Sequence, residues 1–134
     1  MAGTLILTTL SDGTNSTSAT NPIRGSAKAW VNFAGATATI NDSFNVSSIT
    51  RNAQGDYTVN FTTAMANANY VPVFTGAGGL SGVTFPTYGT FVTDGSGTPT
   101  TKTTSAVRYT NFNPYTPNAG GYDLPQSGLV IFSS

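Results

Sequence analysis

From Asp56 to Phe61 the chain alternates without a break: Tyr57, Val59 and Phe61 fall on one side, Thr58 and Asn60 on the other. Successive side chains of an extended backbone point to opposite faces, so this rhythm specifies a strand with one buried face. The preceding Asn52-Ala-Gln-Gly55 reads as a hairpin turn in which Gly55 is free to take a positive φ. Residues 44–51 are then its antiparallel partner. KAWVNF (28–33) repeats the pattern, with Ala29, Val31 and Phe33 on one face and Lys28, Trp30 and Asn32 on the other. Ala34-Gly35 closes that strand, and residues 36–42 return as a strand of small side chains. Further strands are expected at 70–75, 87–93, 105–109 and 129–133, the first on an edge or with a bulge because it contains Pro72.

Helix is nearly excluded: there is no Glu, Lys and Gln occur twice each, and Thr, Val, Asn, Gly and Ser dominate. Short alternating runs between turn clusters predict an all-β fold, an antiparallel β-sandwich. Phe33, Phe44, Tyr57, Phe61 and Phe74 are its expected core aromatics, each contributing about 1.5–3 kcal/mol when buried. Leu5-Ile-Leu-Thr-Thr-Leu10 is apolar but is followed by the polar SDGTNSTSATNP (11–22). That order divides the chain into an extended N-terminal attachment arm and linker, 1–22, and a sandwich domain, 23–134. The N-terminus lacks the basic region of a signal peptide, and no stretch approaches the ~18 apolar residues of a membrane helix. No membrane insertion is expected.

The absences bear on chemistry. The chain has no His and no Cys, and all five acids are Asp. Imidazole bases, catalytic triads, thiol nucleophiles and zinc knuckles are therefore unavailable. Asp12, Asp56 and Asp94 each precede or follow Gly in turn sequences, where Asp bonds to its own backbone. DGSG (94–97) has one carboxylate, short of a calcium loop, and GAGGLSG (76–82) lacks the Lys and helix of a phosphate cradle. The four Asn-X-Ser/Thr sequons, at Asn15, Asn41, Asn45 and Asn60, arise by chance in so Ser/Thr/Asn-rich a chain. The expectation is a non-enzymatic protein without cofactor or metal. Five cations balance the five acids and lie scattered, which argues against nucleic acid as a partner.

The aromatics offer recognition instead. Trp30 faces away from Phe33 and so outward, where it is either a carbohydrate platform or, as interface statistics favour, part of a subunit interface. Tyr109, Tyr115 and Tyr122 flank NFNPYTPNAGGYDLP, a loop composition with projecting rings. They are the first choice for a receptor-facing surface; the competing reading has them pin a long loop to the body.

The span KAWVNF…TINDSFNVSSITRNAQGDYTVNFTTAMANANY (28–70), about a third of the chain, resembles a β-module of tailed-bacteriophage virion proteins, particularly from phages of aquatic bacteria. The module recurs at tail-fibre tips and in short stand-alone structural proteins, and MAGTLILTTLSDGT is similar to their N-terminal attachment segment. The resemblance implies a homotrimer on the virion surface. Two roles follow. In one, the protein is a capsid decoration (cement) protein, with Leu5, Ile6, Leu7 and Leu10 attaching it to the major capsid protein or other virion proteins. In the other, it is a tail-fibre tip that binds a host surface glycan or protein through distal loops. The short stretch before the module, without coiled coil or β-helix, favours decoration.

Overall fold

A computed structural model describes residues 3, 6–77, 88–91, 102–112 and 121–133. In chain order its elements are β1 (Thr9–Ser11), β2 (Ser16–Ser18), α1 (Thr20–Gly25), β3 (Ala27–Ala34), β4 (Thr39–Phe44), β5 (Val46–Ala53), β6 (Asp56–Phe61), β7 (Val71–Ala77), β8 (Tyr88–Phe91), β9 (Ala106–Phe112) and β10 (Gln126–Phe132). The strands form a small hairpin, β1-β2, and two four-stranded sheets ordered β4-β3-β10-β7 and β5-β6-β9-β8. Every pairing is antiparallel. Among the described residues the protein is thus mostly β, with antiparallel sheets and one short helix.

One apolar core joins the two large sheets. Ala29, Val31 and Phe33 from β3 and Leu129 and Ile131 from β10 meet Tyr57, Val59 and Phe61 from β6 and Val107 and Tyr109 from β9. Aromatic rings span the gap: Phe33 meets Tyr57 edge to face at 5.0 Å, and Phe74 stacks on Tyr109 at 4.6 Å. Such pairs add about 0.5–1.5 kcal/mol beyond their burial. The chain crosses between sheets at Asn45, which holds a left-handed φ of +56°. Its side chain explains why the strain is tolerated: the amide donates to the Lys28 and Thr63 carbonyls, and its oxygen accepts from Thr63 N–H.

The β5-β6 turn closes at Gly55 with φ +70°, as its sequence predicts. Pro72 lies on β7, an edge strand of its sheet. Three expectations need correction. First, α1 forms over TNPIRG; Pro22 sits in its first turn, where a missing N–H costs nothing. Second, Phe44 is not core but 54% exposed. Ile40 pairs with Phe33 and faces inward, yet Asp42 pairs with Asn32, so Asn41 is an extra residue in β4. That bulge turns Asp42 and Phe44 to the outer face. Third, Tyr109 does not project toward a receptor. It alternates with Val107 and Asn111 on the inner face of β9 and is fully buried.

The polar stretch 11–22 is ordered into the second strand of the small hairpin and the start of α1. Asp12 closes the hairpin by accepting from the Thr14 and Asn15 N–H groups at 2.9 and 2.7 Å. None of residues 6–26 is buried.

Candidate functional surface

One end of the sandwich is assembled from the β3-β4 turn, the β5-β6 turn and residues 121–124, which follow an Asn/Pro-rich stretch of sequence. Backbone bonds tie the three together. Gly35 N–H donates to the Leu124 carbonyl, Asn111 N–H to the Gly55 carbonyl, and Tyr122 N–H to the Asn111 carbonyl, at 2.8–2.9 Å. The approach is so close that a Cβ on Gly121 would lie 2.3 Å from the Gln54 carbonyl oxygen, and one on Gly55 2.2 Å from the Tyr122 nitrogen. Only glycine fits at either position.

Asp123 locks this end. Its carboxylate accepts from the Arg51 guanidinium through Nε and Nη2, from Gly55 N–H at 2.8 Å and from the Tyr57 hydroxyl at 2.6 Å. The Arg51 bonds, with those from Tyr57 and Gly55, hold its pKa down at about 2. Burial, and then the bond to the Asp123 carboxylate, push the Tyr57 hydroxyl far above the ordinary tyrosine range. A carboxylate this acidic and this fully bonded is ionised at neutral pH and unsuited to general acid or base work. A second pair, Arg108 with Asp56, lies on the outer face of β6-β9 and likewise lowers the Asp56 pKa. Among the described residues no group of three or more acids, His or Cys could hold a metal ion.

The chain was compared with family models, curated proteins and solved structures. None matches.

The predicted residues distribute over three regions. Ile6, Leu7 and Leu10 are exposed, Ile6 at 87%, and with Ala19 and with Pro22 and Ile23 of α1 they line an apolar groove. Leu5 lies outside the described residues. Trp30 is half-buried on the outer face of β3. Tyr122 is half-buried at the locked end of the sandwich, and Tyr115 lies outside the described residues.

Sequence reasoning missed the Arg51–Asp123–Tyr57 lock, which joins residues 66 and 72 positions apart. The Gly120-Gly121 pair before Asp123 was the available signal. Also missed was the apolar company of Trp30. Phe44, Trp30, Val130 and Val73 are direct cross-strand neighbours in one row across β4-β3-β10-β7. Phe132 and Val71 pair in the next row. Phe44, Val73, Val71 and Phe132 are exposed.

Proposed function

We propose that this chain is a non-enzymatic bacteriophage virion structural protein, a homotrimeric knob on the virion surface that acts as a capsid decoration protein. In this reading the N-terminal segment is an attachment arm: Leu5, Ile6, Leu7 and Leu10 seat it on the major capsid protein or another virion protein. Trp30 packs against a neighbouring copy. The observation that carries the reading is the N-terminal region itself. Ile6, Leu7, Leu10 and Ile23 are large apolar side chains left in water, while the sandwich closes its own core without them. Exposed apolar clusters of this kind mark contact sites.

A second reading, a tail-fibre tip that contacts a host glycan or protein, is favoured by the locked loop end. Loops on a rigid base are the usual location of recognition. Immunogold labelling of intact virions with antibody to this chain separates the two. Label over the head is the expected result, and loss of label on deleting residues 1–10 would assign attachment to the arm. Label confined to the tail tip would replace decoration with host recognition. No label on the particle would end both readings.

A further inference from the structure

The two outer sheet faces differ in kind. On β5-β6-β9 the outer side chains satisfy one another: Asn60 bonds to Ser48 and Thr50, Asn52 to Thr58 and Asp56, and Arg108 to Asp56. That face is built for water. On β4-β3-β10-β7 the corresponding positions carry the apolar row Phe44, Trp30, Val130 and Val73, with Phe132 and Val71 beside it. Next to the row, on the other side, Asp42, Asn32, Gly128 and Thr75 form a polar border. An apolar centre with a polar rim is the anatomy of a protein interface.

Three features make a second copy the occupant. The row runs without interruption from one edge strand to the other, β4 to β7, so a neighbour placed at either edge continues it. Size agrees as well. Four strands at ~4.8 Å spacing and about 25 Å long give a footprint of roughly 500 Å² before side-chain relief, comparable with the ~800 Å² of accessible surface each partner contributes to an ordinary interface. The chain has no net charge to oppose self-association.

Resting on the trimer reading above, we infer that copies meet through this face about an axis parallel to its strands. Phe44 of one copy then lies beside Val73 of the next, and Trp30 and Val130 face the axis. The contact is heterologous, edge β4 to edge β7, and closes after three copies. The row thereby becomes a continuous apolar belt.

The chain has no cysteine, so paired substitutions report the contact cleanly. Disulfides form only when Cβ atoms come within about 4.5 Å. Phe44→Cys and Val73→Cys in one chain, oxidised, are expected to give a covalent trimer on a non-reducing denaturing gel. The single variants mixed should give dimers, and each alone none. Self-linking by Phe44→Cys alone would overturn the geometry in favour of a two-fold face. A trimeric mass by sedimentation with no cross-link would refute this face while leaving the trimer standing. A monomeric mass for the unmodified chain would refute both, including when the face is covered by a different virion protein. Val73→Asp serves as a second variant: its expected effect is a threefold drop in sedimenting mass with an unchanged far-ultraviolet circular dichroism spectrum.

Discussion

Asp123 carries more of the fold's specificity than its place after a Gly-Gly-Tyr stretch implies. It accepts three kinds of donor at once, a guanidinium, a phenol and a backbone N–H, from two strands and a turn. Because its folded pKa is about 2, below the ordinary ~3.9, the stabilisation is fully present above pH 4. It is lost as pH falls through the folded value, where the native state must take up a proton. The shift corresponds to about 2 kcal/mol. Asp123→Asn is therefore expected to lower Tm by about 5–10 °C at pH 7, with the gap to the unmodified protein narrowing toward pH 2. Thermal melts across that range measure it; a gap that stays constant with pH would show that the carboxylate's charge is not what Arg51 and Tyr57 respond to.

At the level of elements, the turns decide whether the strands meet correctly. Gly121 lets residues 121–124 lie against the β5-β6 turn, and Gly121→Ala would press a methyl group onto the Gln54 carbonyl. A loss of about 2–3 kcal/mol is expected, read by urea unfolding, whereas Gly25→Ala, with open space around it, should change little. The strands that bury one face were legible from alternation: Tyr57, Val59 and Phe61 point inward as their spacing requires. Pro72 marked an edge for want of an N–H. What alternation cannot reveal is a change of phase. The extra residue at Asn41 sent Phe44 outward, and no local feature of TINDSF announces it. Tyr109 was misplaced for the opposite reason. Its alternation with Val107 was in plain view, but the loop composition just beyond it outweighed that pattern. Beyond the Gly120-Gly121 pair, the Asp123 lock was not legible because its partners come from distant segments, brought together only by the completed fold.

For the whole molecule, the question is which surfaces stay wet. The single Trp lies in the apolar row, so its fluorescence reports assembly directly. Emission is expected to move to shorter wavelength as protein concentration rises through the assembly range, and to remain at its dilute-solution position in Val73→Asp. A concentration-independent spectrum in a sedimenting trimer would place Trp30 away from the contact. The locked end of the sandwich has a different consequence. Asn111 and Tyr122 are bonded to each other, and Gly55 and Asp123 hold the same two feet. These bonds bring residues 111 and 122, eleven positions apart in the chain, to one place at the end of the sandwich. Lengthening a loop twofold adds only ~0.6 kcal/mol of closure cost. A peptide inserted between these two flanks is therefore expected to cost little stability, because the flanks are held by bonds of their own.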